Sequence, residues 1–237
     1  MNNKLGASAT DYWRDKQDAY HRHSDEIWLS KYAEELLALL PKRGTLVDVG
    51  CGTCQLTTSL ASAYDEVIGF DSSASMLKEG RQRLIQHRVN NVLLTQGDAT
   101  RFPKEVANVD AILVNGVLQY LDREAMKEHL SECLRVLSPR GTILWGLIPD
   151  ARLRHMWYAG ALSTQQRTWY AKALIWLSTM RSLMAARAKG DILWDGIGRW
   201  FWPHEIQELA AEQGLSCQLV HAWYYEYRFH AILRRSN

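Results

Sequence analysis

The chain has 237 residues, of which 47% are hydrophobic and 23% charged, and its formal net charge is +2. A chain of this length can bury a core without disulfides or a structural metal. The small net charge argues against a protein that binds nucleic acid with its whole surface. The sequence shows neither a secretory signal nor the run of roughly 18 apolar residues that a membrane-spanning helix needs. We therefore expect a cytoplasmic protein with reduced cysteines.

Helix and strand patterns alternate along the first two thirds of the chain. Residues 26–40 have apolar side chains at helical spacing, and Pro41 ends that helix. The pattern then predicts strands over 45–50, 66–71, 91–98, 109–116 and 142–148, separated by helices over 55–63, 73–87 and 123–137. Strands that alternate with helices imply parallel crossovers and an open α/β sheet.

The chain beyond residue 150 departs from this alternation. Residues 150–190 have a helical pattern throughout, and a further helix is predicted over 203–214. Two strand patterns, over 215–223 and 225–234, are close enough in sequence to pair as a hairpin, which would give the parallel sheet an antiparallel edge.

The segment VDVGCGTC, residues 47–54, lies where the first strand passes into the next helix. Cys51 and Cys54 form a Cys-x-x-Cys pair, which indicates a redox dithiol or half of a zinc site. Gly50 and Gly52 indicate instead a tight loop whose backbone amides approach a nucleotide. No second Cys-x-x-Cys occurs, so a four-thiolate zinc site has no support. The loop also lacks the third glycine of a dinucleotide-binding motif.

Three polar residues, Asp71, Asp98 and Asn115, follow successive predicted strands. Because ligands bind at the carboxyl ends of the strands in an open α/β sheet, these side chains are expected near the glycine loop. As single residues, Asp71 also suits a helix cap and Asn115 a turn. A bound cofactor needs polar groups in these places and a dithiol does not, so we interpret the cysteines as small residues in a tight loop.

The ordered segments VDVGCGT, VIGFD, GDA and VNGVLQYL resemble the motifs of class I methyltransferases that use S-adenosylmethionine. The resemblance covers residues 44–148, and residues 198–215 are similar to the family's approach to its last helix. It implies a seven-stranded, mainly parallel, Rossmann-like sheet with an antiparallel last strand, helices on both faces and a helical insertion after strand five. Cys54 departs from the pattern, because the family often has a third glycine there.

The resemblance also implies the cofactor, S-adenosylmethionine, and its contacts. Gly50, Cys51 and Gly52 would form the turn against its methionine part, and Asp48 would support that loop. Asp71 would accept hydrogen bonds from the two ribose hydroxyls, since a carboxylate offers acceptors to adjacent donors.

Further contacts follow from later motifs. Ser72 and Met76 would flank the adenosine. Asp98 and Ala99 would lie where family members hold the exocyclic amine of the adenine. Asn115 would face the methionine end and the methyl group.

The N-terminal region has two candidate roles. Residues 21–28, HRHSDEIW, combine two histidines with two acids and so suggest a metal site, but the same residues suit a helix N-terminus, and we predict no metal. In many class I methyltransferases an N-terminal segment covers the cofactor. Tyr12, Trp13, Tyr20 and His21 would belong to such a lid.

The acceptor side is less defined in the sequence. His155, which follows the fifth strand, is our choice for a catalytic base, because an imidazole titrates near neutral pH. Residues 151–190 contain seven Arg and Lys residues and no Asp or Glu. This charge suits either a solvated helix face or a wall for an anionic or lipid-linked acceptor at a membrane surface. The residues expected on the acceptor side are Gln119, Tyr120, Arg152, Arg154, Trp157 and Tyr158.

We expect in-line methylation, at oxygen, of a small molecule or glycan. The amino-DNA methyltransferase signature is absent from VNGVLQYL, and no nucleic-acid partner is expected. The alternatives are a nicotinamide-dependent oxidoreductase on the same sheet and a non-catalytic protein that binds a partner or a membrane surface. The expected parts are an N-terminal segment or lid (1–43), a cofactor-binding core (44–149), an acceptor-side helical cap (150–197) and a last helix with its hairpin (198–237).

Overall fold

The computed structural model of the chain describes residues 26–104, 106–158 and 198–236. The predicted lid residues Tyr12, Trp13, Tyr20 and His21 lie outside the described residues. The basic insertion beyond residue 158 also lies outside them. Among the described residues, no helix is long and apolar enough to cross a membrane.

The described residues form seven strands and six α-helices. In chain order these are α1 (Glu26–Leu39), β1 (Thr45–Val49), α2 (Gln55–Leu60), β2 (Glu66–Asp71), α3 (Ala74–Gln86), β3 (Val92–Gln96), β4 (Val109–Asn115), α4 (Arg123–Val136), β5 (Leu137–Pro149), α5 (Arg154–Tyr158), α6 (Pro203–Glu212), β6 (Leu215–His221) and β7 (Arg228–Arg235). Single 3-10 turns lie at Ala61–Ala63, Leu118–Tyr120 and Ala151–Leu153.

The strands form one sheet in the order β3-β2-β1-β4-β5-β7-β6. Strands β1 to β5 pair in parallel with one another, and β7 runs antiparallel to β5 and β6. The predicted fold class, a mainly parallel Rossmann-like sheet with an antiparallel last strand, is confirmed. The antiparallel strand lies one place inside the edge, because β7 inserts between β5 and β6. The winding direction reverses between β1 and β4, which is where such sheets bind ligands.

Helices cover both faces of the sheet. Successive strand residues point to opposite faces, so each strand contributes to two cores. Leu46 and Leu113 pack on one face with residues of α1 and α2. Val47 and Ile112 pack on the other face with residues of α4 and α6.

The fifth strand begins earlier than predicted. Helix α4 ends at Val136, and Leu137 already pairs with Val109 of β4. Pro139 and Gly141 lie within β5 at a register shift. A bulge leaves residues unpaired and so accommodates a proline and a glycine inside a strand.

Candidate functional site

A pocket opens where β1 and β4 end, and it encloses about 600 Å³ of empty space that is partly open to solvent. Asp48, Gly50, Cys51 and Asn115, four of the residues predicted to bind the cofactor, line it. The structure thus brings the glycine loop and the end of β4 together at the carboxyl edge of the sheet, as the strand order requires.

The loop after β1 takes a conformation that glycine makes accessible. Gly50 and Gly52 have φ values of +72° and +54°. A Cβ on Gly50 would lie 2.5 Å from Val117 Cγ2, so a side chain there would clash as well as strain the backbone. Gly50 and Cys51 donate their N–H groups to Phe70 O, at 2.8 and 3.1 Å, which ties the loop to the end of β2.

Asp71 joins this loop to the next helix. Its Oδ2 accepts from Gly52 N at 3.0 Å, and its Oδ1 accepts from Ser73 N at 2.8 Å. Burial raises the pKa of Asp71, and the two hydrogen bonds act against that rise. Each carboxylate oxygen can accept a further hydrogen bond, which is what two neighbouring hydroxyls would need.

Asp48 is a second acid under the loop. Its side chain is almost fully buried and accepts a hydrogen bond from Thr57 Oγ1 at 2.6 Å. Burial raises the pKa of Asp48 to about 6, and the negative charge of Asp71 adds to the rise. A negative charge on Asp71 therefore disfavours the ionisation of Asp48.

The two cysteines of the loop are packed inside the protein. Cys54 Sγ lies 4.0 Å from Cys51 Sγ and within a cluster that includes Leu77 and Leu84. Gly80 of α3 leaves room for this sulfur, since a Cβ there would lie 2.6 Å from it. The contact with the Cys54 thiol, together with burial, raises the pKa of Cys51, which disfavours the reactive thiolate. Among the described residues, no three potential ligands are grouped to hold a metal ion.

The conformation of Cys54 shows how the loop accommodates a cysteine where the family often has a third glycine. Its φ is +57°, in the left-handed region where a third glycine would be unstrained. The site therefore keeps the backbone conformation that glycine favours while a cysteine fills the space beneath the loop.

The corner after β3 is held by local contacts. Gly97 N donates to Asp71 O at 3.1 Å, so this corner lies beside the end of β2. Asp98 Oδ1 accepts from the N–H and hydroxyl of Thr100, both at 2.7 Å. The Ala99 carbonyl lies 2.7 Å from His129 Nδ1. Asp98 is exposed and its other oxygen stays accessible, but an adenine contact remains a prediction.

His129 was not predicted to support the site. Trp145 Nε1 donates to His129 Nε2 at 3.3 Å, so the proton of the neutral ring lies on Nδ1 and is donated to Ala99 O. Burial lowers the pKa of His129 to about 4, which keeps the ring neutral. Of the two residues expected beside the adenosine, Ser72 is exposed and Met76 is buried.

Three aromatic residues that the sequence analysis did not predict form one wall of the pocket. Trp28 and Tyr32 of α1 stack with ring centroids 5.3 Å apart, and Tyr225 meets both rings edge-on. Tyr32 Oη donates to Asn115 Oδ1 at 2.6 Å. Burial raises the pKa of Tyr32 well above its ordinary value, so the phenol stays a neutral donor. The four-residue spacing of Trp28 and Tyr32 was the available signal in the sequence.

Another part of the pocket wall depends on a bulge in β5. Leu147 lines the pocket and has a φ of +55°, at a register shift against β7. Its N–H donates to His230 Nδ1 at 3.3 Å, and its carbonyl accepts from Arg228 Nη1 at 2.5 Å. With Nδ1 as acceptor, His230 presents its Nε2–H to Glu35 Oε1 at 3.3 Å. Two buried side chains of β7 thus bind the N–H and the carbonyl of a residue in a strained conformation.

Two residues predicted for the acceptor side lie next to Arg228. Gln119 is buried, and its Oε1 accepts from Arg228 Nη1 at 2.7 Å. Gln119 Nε2 donates to Tyr120 Oη at 3.1 Å. Trp157 packs against Tyr227 with ring centroids 4.0 Å apart.

The other predicted acceptor-side residues lie after β5. The Arg152 guanidinium pairs with Asp150, with Nη2 2.6 Å from Oδ2. Arg154 and Tyr158 are the first and last residues of α5. His155 is exposed on that helix, and its role as a base stays a prediction.

Residues 46–141 match a family described as a methyltransferase domain. Trans-aconitate 2-methyltransferase of Azoarcus sp. (strain BH72) is 37% identical over 135 residues, which are 55% of this chain and 49% of that protein. Demethylmenaquinone methyltransferase of Desulfitobacterium hafniense (strain Y51) is 31% identical over 125 residues, 51% of this chain and 47% of that protein. The chain therefore spans about half the length of these curated relatives.

The fold is similar to that of DhpI, solved in complex with SAH, with a TM-score of 0.66 and 18% identity over 100% of this chain and 99% of that chain. The DhpI–SAM–HEP complex gives a TM-score of 0.67 at 19% identity, over 99% of both chains. The match over residues 46–141 and the similarity of the fold both point to the class I S-adenosylmethionine-dependent methyltransferases. The family that the motifs resembled is thereby confirmed, and S-adenosylmethionine is the cofactor of that family.

Proposed function

We propose that this chain binds S-adenosylmethionine at the carboxyl ends of β1, β2 and β4 and transfers its methyl group to an oxygen of a small molecule. The observation that carries the proposal is the coupling of the glycine loop to Asp71. The loop has no space for a side chain at Gly50, because a Cβ there would lie 2.5 Å from Val117 Cγ2, and Gly52 N donates to Asp71 Oδ2 at 3.0 Å.

The residues present fit that cofactor. Asp71 offers acceptors at the end of β2, where a ribose would present two hydroxyls. The turn of Gly50 to Gly52 presents backbone at the opening of α2. The pocket beyond it ends at Asn115 and the aromatic wall. S-adenosylmethionine supplies a methyl group on a sulfonium, which is already a good leaving group.

The protein's part in the reaction is chiefly positional. In-line placement of the acceptor atom accounts for much of the rate of such a transfer. Tyr32 and Asn115 form a fixed hydrogen bond at the end of the pocket, where they would orient the acceptor. The rings of Trp28, Tyr32 and Tyr225 restrict water and present aromatic faces, which suit a positive charge.

The acceptor class is proposed on two grounds. The pocket is lined by apolar and aromatic side chains with a few polar groups, as small-molecule sites commonly are. The names of the matching proteins mention trans-aconitate, demethylmenaquinone and phosphoethanolamine, all of them small molecules. A glycan, or a lipid-linked acceptor at a membrane surface, is the alternative acceptor class.

Calorimetry with S-adenosylhomocysteine, the demethylated product, tests the cofactor assignment. We expect one site per chain. Asp71→Ala should weaken binding by roughly 1–3 kcal/mol, because polar partners are left unmatched. Asp71→Asn should lose less, since it keeps one acceptor oxygen.

Asp65→Asn is the matched control, because Asp65 also accepts a backbone N–H, from Gly44 at 2.9 Å, at the opposite edge of the sheet. It should bind the product like the wild type. Unchanged affinity in Asp71→Ala would contradict the assignment, and binding of NADH in place of S-adenosylhomocysteine would favour the oxidoreductase alternative.

A further inference from the structure

Arg228 is a buried cation next to the pocket, and no described carboxylate pairs with it. The residue is 8% exposed, and it contacts two residues that line the pocket, Leu147 and Tyr225. Every ion pair found among residues 26–104, 106–158 and 198–236 involves other cations. Burying a guanidinium without an anion is unfavourable, because the lost hydration is not replaced by an opposite charge.

The donors of Arg228 are only partly used. Nη1 donates to Gln119 Oε1 and to Leu147 O. Nε is buried and has no acceptor within the described part of the chain. Nη2 makes no hydrogen bond there either. The unused donors together form the Nε–Nη2 edge, one of the two edges through which a guanidinium binds a carboxylate with parallel hydrogen bonds.

Arg152 shows the same edge in use. Its Nε lies 3.0 Å from Asp150 Oδ1, and its Nη2 lies 2.6 Å from Asp150 Oδ2. Although the sequence suggested Arg152 as an anion-binding residue, its charge is already neutralised by this buried acid. Arg228 has the equivalent edge without the equivalent acid.

The surroundings of Arg228 suit the carbon skeleton of a small acid. The rings of Tyr225 and Tyr227 lie 5.8 and 5.0 Å from its Cζ, and Trp200 packs against Tyr227. The acid of the adjoining cluster, Glu35, is engaged through Oε1 by His230 and by Trp223 N, and shares no hydrogen bond with Arg228.

We propose that the Nε–Nη2 edge of Arg228 binds a carboxylate of the methyl acceptor. The inference rests on the proposed function and narrows it: the acceptor is a small carboxylic acid whose anionic end lies against β7, while its reacting atom faces Asn115. Because Nε is enclosed by protein, the carboxylate enters as the Tyr225 or Tyr227 ring moves aside. The resulting ion pair is shielded from water, which strengthens it.

The test is a titration of small acids into the protein saturated with S-adenosylhomocysteine. Succinate and trans-aconitate are the charged probes, and succinamide is the neutral isostere of the first. The wild type should bind the acids and not the amide. Arg228→Gln keeps a donor for Leu147 O but removes the charge, and it should weaken binding of the acids at least tenfold while leaving affinity for S-adenosylhomocysteine unchanged.

Arg123→Gln is the control, because Arg123 is already paired with Glu212, at the end of α6, and both side chains are 42% exposed. It should change neither affinity. Arg228→Lys keeps the charge without the planar edge, so an intermediate loss is expected. This variant decides the question if Arg228→Gln does not fold.

Wild-type binding of succinamide as tight as succinate, absence of binding by both acids, or undiminished binding of the acids by Arg228→Gln would each overturn the inference. Tighter, Arg228-dependent binding of inorganic phosphate would replace the carboxylate by a phosphate acceptor. A wild-type protein that fails to bind S-adenosylhomocysteine would instead overturn the proposed function, and the inference with it.

Discussion

The two sides of the pocket reach similar backbone conformations by different means. On the cofactor side, Gly50 and Gly52 have positive φ values, and the partner of the loop, Asp71, is only 19 residues away from Gly52. On the opposite side, Leu147 has a positive φ without being a glycine, and the side chains that hold it lie 81 and 83 residues further along the chain.

The positive φ values on the two sides have different causes: the residue type on one side and tertiary contacts on the other. A glycine loop needs little help to adopt a left-handed conformation, so its shape is largely a property of the local sequence. A leucine in that region is strained and persists only because the surrounding structure holds it. Changes on the cofactor side should therefore act on cofactor binding, and changes on the β5–β7 side should act first on stability.

The largest effect is expected for Gly50→Ala. The new Cβ would clash with Val117 and would also strain the backbone, which together should destabilise the fold by about 2–5 kcal/mol. The displaced loop should lose at least tenfold in affinity for S-adenosylhomocysteine. Denaturant unfolding and calorimetry measure the two effects.

Gly214→Ala provides the matched control. Gly214 has a φ of +69°, close to that of Gly50, but nothing lies within 4 Å of its added Cβ. It should destabilise the protein by about 1–2 kcal/mol and leave cofactor affinity unchanged. Equal losses of affinity in the two variants would contradict the local origin of the loop's shape.

His230→Ala tests the β5–β7 side. The change leaves the buried Leu147 N–H without its partner and removes one of the two donors to Glu35 Oε1, so we expect a loss of about 2–3 kcal/mol in unfolding free energy. Affinity for S-adenosylhomocysteine should change by less than about threefold, a factor worth under 1 kcal/mol. His87→Ala, at an exposed histidine, is the control. If His230→Ala has normal stability but no longer binds S-adenosylhomocysteine, the expected separation between effects on binding and effects on stability is wrong.

The next effect concerns pH and Asp48. Because burial raises the pKa of Asp48 from 3.8 to about 6, the folded protein binds this proton more tightly than the unfolded chain. Stability should therefore fall as the pH rises from about 4 to about 6, and remain lower above that range. Asp48→Asn stays neutral and keeps an acceptor for Thr57, so at pH 7.5 it should be more stable than the wild type by about 1–2 kcal/mol.

Urea unfolding at pH 4.5 and pH 7.5 measures this difference. Asp110→Asn is the control, since Asp110 accepts a backbone N–H from Thr45 at the other edge of the sheet. If the stability difference between Asp48→Asn and the wild type is the same at both pH values, the pKa of Asp48 is not raised by its burial at the pocket.

The smallest effect should come from Cys54. Cys54→Ala loses the buried sulfur and keeps the strained φ, whereas Cys54→Gly loses the sulfur and relieves the strain. The glycine variant should therefore be the more stable of the two, by about 1 kcal/mol, which reverses the usual order of alanine and glycine. Both should bind S-adenosylhomocysteine normally in the presence or absence of a reductant. An alanine variant more stable than the glycine variant would show that the conformation is unstrained.

The positions of the glycine loop and Asp71 could be predicted from the sequence, whereas those of Leu147 and Arg228 beside the pocket could not, and the same contrast explains why. Gly50 and Asp71 act through residue type and position after a strand, both of which are visible in a short segment. Leu147 and Arg228 are brought together by the pairing of β5 with β7, two strands that are distant in sequence. A leucine in a sequence does not indicate a bulge, and an arginine does not indicate a buried charge without an acidic partner. Trp28 lies within α1, a helix that the sequence predicted. Which side chains of α1 reach the pocket, however, depends on the packing of this helix against the turn between β6 and β7.

The position of β7 has a consequence for the order in which the protein can be made. This strand is the last of the seven to leave the ribosome, yet it lies inside the sheet, between β5 and β6. A nascent chain that ends before Arg228 has β5 with a free edge and β6 with no neighbour to pair with, a state prone to aggregation. It also lacks Arg228 and His230, so the Leu147 bulge has nothing to hold it. Synthesis of β7 therefore completes the sheet and the pocket in a single late event.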